Sequence, residues 1–200
     1  MIKINPNKIY KNLYKKKNKN ITFKILLILL VLISLIFLTI YILKSYIYPL
    51  KHFDIVKIES QKNNIDPYLV LAIIKAESGF NKHATSNKQA RGLMQIMDST
   101  AEDIKNKMET TTINNDLYNE EVNISLGCKY FSSLIDRYNG NYYLAICAYN
   151  AGMGNVDKWI EQNIITKNLN EYKNVNLPFS ETKKYLNKVI SSYKMYRLLY

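Results

Sequence analysis

The sequence predicts a mainly α-helical protein in two parts: one transmembrane helix near the amino terminus, then a helical domain. Three observations predict it. An uncharged run of 19 residues, Ile25 to Leu43, is interrupted only by Ser34, Thr39 and Tyr41. Beyond it, apolar residues recur at helical spacing, with no alternating run and no Asn-Gly turn flanked by strands. Helix-start and helix-stop residues then punctuate the second part in regular order.

As a helix, the apolar run is roughly 28 Å long, close to the ~30 Å hydrocarbon thickness of a bilayer. A cleaved signal peptide has a shorter apolar core, about 7–15 residues, and a small-residue cleavage site. Here Lys44-Ser45-Tyr46-Ile47-Tyr48-Pro49 follows instead, which reads as an uncleaved signal anchor. The first 53 residues carry ten lysines, and no acid precedes Asp54. Lysines crowd the amino-terminal flank and keep it cytoplasmic, so the remainder lies outside a single-pass cell-membrane protein. Tyr41, Tyr46 and Tyr48 suit the outer interface. The expected organisation is a basic cytoplasmic tail over 1–24, a transmembrane anchor over 25–43, a connector over 44–53 and one extracytoplasmic domain over 54–200.

The formal charge of +12 invites a nucleic-acid reading, but residues 54–200 hold 18 basic against 16 acidic side chains. The excess belongs to the tail, and a nucleic-acid-binding domain carries it on the folded surface. No nucleic acid partner is expected. Two cysteines exclude a disulfide scaffold, and no Cys/His cluster has zinc spacing, so neither metal nor cofactor is expected. His83 is a lone loop histidine.

A domain of ~150 residues buries roughly 70% of its unfolded surface, enough for a core without staples. Its first helix is expected over His52 to Asn63. Asp66-Pro67, an N-cap followed by proline at the first helical position, opens the next, Tyr68 to Glu77. Ser99-Thr100-Ala101-Glu102 fits a capping box for a helix to Lys107. Asn119 caps a long helix to Tyr138, closed by Asn139-Gly140, and Asn141 opens another to Asn150. Gly152 and Gly154 break it before a short helix, Val156 to Gln162. A polar loop then ends at Pro178, and Ser180 caps a last helix rich in Tyr and Leu. Cys128 and Cys147 fall on the two arms of the hairpin turning at Gly140, offset by roughly 7.5 Å along the axis, so they read as small buried residues and not as a disulfide.

Glu77 stands out. Val70, Ile73, Ile74 and Glu77 are spaced i, i+3, i+4, i+7 and share one helical face, so an acid projects on an apolar stripe. It also ends its helix, where the macrodipole opposes a negative charge by ~0.3–1 kcal/mol. Partial burial pushes the same way and contributes more. Both effects favour the protonated form, which is what a general acid for a glycosidic oxygen needs. A surface glutamate, or one paired with Arg91, is the competing reading from this helix alone. Three further segments are equally ambiguous by themselves. Gly92-Leu93-Met94-Gln95 fits core packing or a ligand site, Ala148-Tyr149-Asn150-Ala151-Gly152 fits a helix C-cap, and Pro178-Phe179-Ser180-Glu181-Thr182 with Tyr185 fits a capped helix start.

In order and spacing, these segments resemble the catalytic domain of soluble lytic murein transglycosylases, a family with a lysozyme-like fold. The matches are Glu77-Ser78-x-Phe80, Ala84-x-Ser86 leading to Ala90-x-Gly92-Leu93-Met94-Gln95, Ala148-Tyr149-Asn150-Ala151-Gly152-x-Gly154, and Pro178-Phe179-x-Glu181-Thr182-x-x-Tyr185. The resemblance covers Asp54 to Tyr200 and extends to membrane-anchored members. Departures are Gln89, where a glycine usually stands, Asp98 for a common proline, Cys147 for a small apolar residue and Leu186 for a valine.

The resemblance implies cleavage of the β-1,4 bond between N-acetylmuramic acid and N-acetylglucosamine without water, giving 1,6-anhydro-muramoyl products from peptidoglycan glycan strands. By that analogy Glu77 is the catalytic acid and then the base. Ser78, Met94, Gln95, Tyr149 and Asn150 line the substrate groove, and the Tyr185 hydroxyl lies near Glu77 and tunes it. Glycosidases usually use two carboxylates, but Glu77 has no second acid in its segment. Glu181 is a weaker candidate, because a helix's first turn holds a carboxylate ionised. Two other readings are a hydrolytic muramidase of the same fold and a non-catalytic glycan-binding subunit of an envelope assembly.

Overall fold

A computed structural model of the chain describes residues 6–107, 116–170, 172 and 175–200. It divides into two units, Met1–Pro49 and Leu50–Tyr200.

The first unit is one long helix, α1 (Pro6–Ile42), extended by a π-helical turn over Leu43–Ile47. Proline opens it at a position where the missing N–H costs nothing. Within it, Ile21–Ile47 is long and apolar enough to cross a membrane. The Thr39 hydroxyl donates to the Leu35 carbonyl at 2.8 Å, so this polar group is satisfied along the helix itself. Helical backbone thus extends on both sides of the expected 25–43 segment.

The second unit contains α2 (Phe53–Lys62), α3 (Pro67–Glu77), α4 (Asp98–Lys107), α5 (Glu120–Arg137), α6 (Tyr142–Ala151), α7 (Met153–Glu161) and α8 (Ser180–Leu199). Among the described residues no strand forms; Arg91 makes isolated antiparallel bridges to Thr85 and Ile96. α3 is the central element. Leu69 through Ile74 are all buried, because the helix is apolar nearly all round and is enclosed by α2 and α8. Each buried Leu, Val or Ile side chain among them contributes ~1.5–3 kcal/mol when taken from water. Asp66 caps α3 by accepting from Tyr68 N at 2.9 Å, with Pro67 in the first turn.

α8 runs antiparallel to α3. Tyr193 Oη donates to Asp66 Oδ2 at one end, and Tyr185 Oη donates to Glu77 Oε1 at the other. α5 and α6 form a helical hairpin. Asn119 and Asn141 cap them through Val122 N and through Tyr143 N and Leu144 N. The turn uses the left-handed conformations of Asn139 (φ 51°) and Gly140 (φ 84°). Cys128 and Cys147 are both free thiols, buried on the two arms.

Three helix starts differ from the expected ones. α4 begins at Asp98, and Met97 supplies the capping carbonyl to Ala101 N, so Ser99 lies inside the first turn and forms no capping box there. The Asp98 carboxylate pairs with Arg91 while sitting where the helix dipole favours a negative charge. α7 starts at Met153, since Gly152 alone (φ 84°) makes the break and Gly154 is helical. α8 has Phe179 in the cap position and Ser180 as its first helical residue, without a side-chain cap. The hydroxyl that is used there is that of Thr182, which donates to Asn150 Oδ1 at 2.8 Å.

Candidate active site

Glu77 is the last residue of α3, and the chain turns sharply after it. Gly79 (φ 59°) and Phe80 (φ 68°) are both left-handed, and burial of the Phe80 ring holds the turn down. Ser78 ties this end to a neighbouring loop. Its Oγ lies 2.8 Å from the Leu93 carbonyl and 3.2 Å from the Ile74 carbonyl as donor, and it accepts from Phe80 N.

That loop is rigid for identifiable reasons. Arg91 and Ile96 exchange both backbone hydrogen bonds at 3.0 Å, and Gly92 N donates to Ala84 O. Gly92 has φ 79°, and a Cβ there would come within 2.3 Å of Leu117 O and of Asn123 Nδ2, so no larger residue fits. Asn123, buried on α5, accepts from Met94 N at 2.7 Å and donates to the Arg91 and Leu117 carbonyls. Gln95, itself left-handed, gives its amide N–H groups to the Ala84 and Gly92 carbonyls.

Around Glu77 the geometry is tight. Tyr185 Oη donates to Glu77 Oε1 at 2.6 Å, and Tyr149 Oη donates to the Met94 carbonyl at 2.8 Å. The Glu77 side chain is partly exposed, whereas Tyr185 is buried. Burial lifts the Glu77 carboxyl from 4.5 to about 7, against the opposing pull of the Tyr185 hydroxyl and the Lys188 ammonium. The direction is the one the helix pattern implies, with burial the dominant cause. Burial and the neighbouring Glu77 charge both push the phenols of Tyr149 and Tyr185 well upward, so each remains a neutral donor.

Hydrogen bonds that link α3, the 84–96 loop, α6 and α8 therefore gather Ser78, Tyr149, Asn150 and Tyr185 around the end of α3, whereas the Gln95 amide bonds stay within its own loop. Met94 is a correction. Its side chain has no exposed surface and lies against Gly127, where an added Cβ would come within 2.3 Å of its sulfur. It supports the site through its backbone and does not line a groove.

Arg91 pairs with Asp98, which removes the reading of Glu77 as an Arg91 partner. Glu181 is exposed in the first turn of α8, and His83 is exposed in its loop. Among the described residues no His/Cys/Asp/Glu group has the makings of a metal site. An open cavity of about 750 Å³ lies at the other end of α6, lined by Tyr142, Tyr143 and the paired Arg137 and Asp157, and takes in none of the residues around Glu77.

Sequence reasoning missed two contributors. Lys188 lies three residues after Tyr185 on α8, so helical spacing alone places it on the same face. Asn123 carries no local signal, because its three partners are far away along the chain or beyond its own helix.

A family model described as the transglycosylase SLT domain matches residues 54–172. The membrane-bound lytic murein transglycosylase C of Edwardsiella ictaluri is 35% identical over 168 residues, covering 74% of this chain and 46% of that protein. A putative soluble lytic murein transglycosylase of Haemophilus influenzae is 34% identical over 140 residues, covering 70% of this chain and 23% of its own length. The chain thus spans less than half the length of these curated relatives. Among solved structures, the 70 kDa soluble lytic transglycosylase of Escherichia coli superposes with a TM-score of 0.67 at 28% identity, over 76% of this chain and 25% of that one. An inactive Glu-to-Gln mutant of the lytic transglycosylase Slt from Pseudomonas aeruginosa gives 0.64 at 30% identity, over 74% and 24%. These likenesses carry the lysozyme-like helical fold.

Proposed function

Since the chain belongs to the SLT transglycosylase family, we propose that it is a peptidoglycan lytic transglycosylase in which Glu77 is general acid and then base. The observation that carries this is the pairing of a half-buried carboxyl, raised to about 7, with the neutral Tyr185 hydroxyl 2.6 Å away. At neutral pH such a carboxyl holds a proton in a large fraction of molecules and gives it up readily, which is the balance general acid catalysis requires.

In the first step, the Glu77 proton goes to the glycosidic oxygen, and the bond from muramoyl C1 to that oxygen breaks. The N-acetylglucosamine strand leaves as an alcohol. Among the described residues no second carboxylate acts on Glu77, so the cation-like C1 is stabilised by the substrate's own N-acetyl oxygen and by oriented dipoles. In the second step, the muramoyl C6 hydroxyl bonds to C1 and its proton returns to Glu77. No water is consumed and Glu77 ends as it began. Tyr149 and Asn150 at the end of α6, with Gln95 and Ser78, border the place where the sugar lies. Tyr185 orients the acid.

The apolar helix α1 anchors the protein in the cell membrane by a single pass, with the lysine-rich end cytoplasmic and residues 50–200 outside. The catalytic unit then works on glycan strands close to the membrane surface. Digestion of purified peptidoglycan by the full chain in detergent micelles, read by mass spectrometry, tests the reaction. Anhydro-muropeptides, one water lighter than hydrolytic products, are the expected result. Hydrated products point instead to a muramidase, and binding without release to a glycan-binding subunit.

A further inference from the structure

The mechanism leaves a charge in an unfavourable place. Once Glu77 gives up its proton, an anion remains at the carboxyl end of α3, where the helix dipole and the surrounding apolar groups both oppose it. Tyr185 supplies one hydrogen bond but no charge. Lys188 supplies charge. It lies one turn beyond Tyr185 on α8, and its Nζ donates to the Ala76 carbonyl at 2.7 Å. That carbonyl is among the last four of α3, which lack partners within the helix, so the ammonium caps the negative end directly beside Glu77.

We propose that Lys188 is a positioning residue for the reaction: its ammonium, pinned on the Ala76 carbonyl, stabilises the anionic state of Glu77 formed between the two proton transfers. This rests on the reading of Glu77 as acid and base. No covalent step is added: the proton that leaves Glu77 for the glycosidic oxygen returns from the C6 hydroxyl, and Lys188 stays protonated throughout.

Among the described residues, the other ionisable groups around Glu77 do not supply this charge. From α8 comes the neutral Tyr185; from α6 comes the neutral Tyr149, with Tyr130 and Cys128 of α5 behind it. Lys75 lies on α3 itself, two residues from Glu77 and so about 200° around the helix, away from it. Its own affinity for a proton is lowered by burial and by Lys188, which places the Lys188 charge close to this helix end. Arg91 is committed to Asp98.

The test compares wild type, Lys188→Met and Lys188→Arg as full chains in micelles. One readout is the pH profile of kcat/KM for anhydro-muropeptide release; the other is the titration of the Glu77 carboxyl by ¹³C NMR, assigned with Glu77→Gln. In Lys188→Met the alkaline limb and the carboxyl titration are expected to move up together by about 0.5 pH unit, with kcat several-fold lower and KM little changed. Lys188→Arg restores both. Circular dichroism melts check that each variant is folded, so that a loss of activity from misfolding is not mistaken for the effect. A Glu77 titration unmoved in folded Lys188→Met overturns this inference alone. A wild-type protein that releases no anhydro product overturns the reading of the reaction on which it rests.

Discussion

The carboxyl end of α3 and the amino end of α5 each present a glutamate at a helix terminus, and the two behave in opposite ways. Glu120 opens α5, where the dipole favours its charge, and it accepts from Lys82 Nζ and faces His52 Nδ1, both at 2.8 Å. The Lys82 hydrogen bond is the main cause that holds its carboxyl below the ordinary range. Glu77 closes α3, accepts from a phenol that carries no charge, and is lifted to about 7 by burial. The residue type is the same, and so is the fold that holds both. What separates the ion-paired carboxyl from the raised one is burial first, and then the helix end and the charge of the partner.

The largest effect that would break this comparison is on turnover. Glu77→Gln is expected to lower anhydro-muropeptide release by about 10³-fold or more, because no neighbour replaces its proton. Binding of glycan strands should persist, since the amide keeps the shape and the Tyr185 contact. Glu120→Gln should stay within about twofold of wild type. A Glu77→Gln protein that still releases product would show that the buried carboxyl is incidental.

Stability provides a second contrast, with opposite signs. For Glu77 the folded value lies above the unfolded one, so its favourable contribution is complete below pH 4.5 and is lost as pH rises through about 7. At about 1.4 kcal/mol per pH unit, Glu77→Gln is expected to stabilise the folded protein by about 2–3 kcal/mol at pH 8 and by little at pH 4.5. For Glu120 the folded value is lowered, so its contribution is present above the unfolded value and lost as pH falls through the folded one. Glu120→Gln should therefore destabilise at pH 7 and converge on wild type in acid. Urea unfolding at the two pH values reads both. Equal signs for the two variants would contradict the contrast.

Tyr185→Phe tests the partner rather than the acid. Removing a donor to the carboxylate raises the carboxyl further, so the alkaline limb of kcat/KM should move to higher pH. Turnover should fall by about tenfold as the acid loses its orientation, an effect of about 1.4 kcal/mol. An unchanged profile would mean that the hydroxyl serves packing alone.

Much of this was legible in the residues, and the rest was not for physical reasons. The spacing of Val70, Ile73, Ile74 and Glu77 reveals an acid on a buried face, and Asp66-Pro67 marks where α3 begins. The link from Glu77 to Tyr185 was implied by family likeness, not by local pattern, because it joins residues 108 apart through the antiparallel packing of α3 and α8. The sequence offers Ser99 and Ser180 as caps, but caps compete: Met97 and Phe179 take the cap positions, and no side chain is needed when the backbone turn is held elsewhere. The family motif points Met94 toward the groove because a motif gives residue identity without direction. Only the cleared space over Gly127 shows where its side chain goes.

The smallest expected effect lies in the loop that braces Glu77, and it sharpens the contrast by lacking any pH signature. Gln89 occupies a left-handed conformation, φ 61°, at a position where the family resemblance leads one to expect glycine. A residue with a Cβ pays ~1–2 kcal/mol there, while glycine loses ~0.5–1 kcal/mol more entropy on folding. Gln89→Gly is therefore expected to raise stability by about 0.5 kcal/mol, or about 1–2 °C in Tm. Gln89 N donates to the Ser86 carbonyl through the backbone, so the substitution keeps that bond. No ionisable group is altered, and the gain should be the same at pH 4.5 and pH 8. That constancy separates relief of backbone strain from the removal of a buried charge. A gain from Gln89→Gly that grew with pH would mean that this loop changes the burial of Glu77, and the pH-dependent part of the Glu77→Gln effect would then no longer belong to the carboxyl alone.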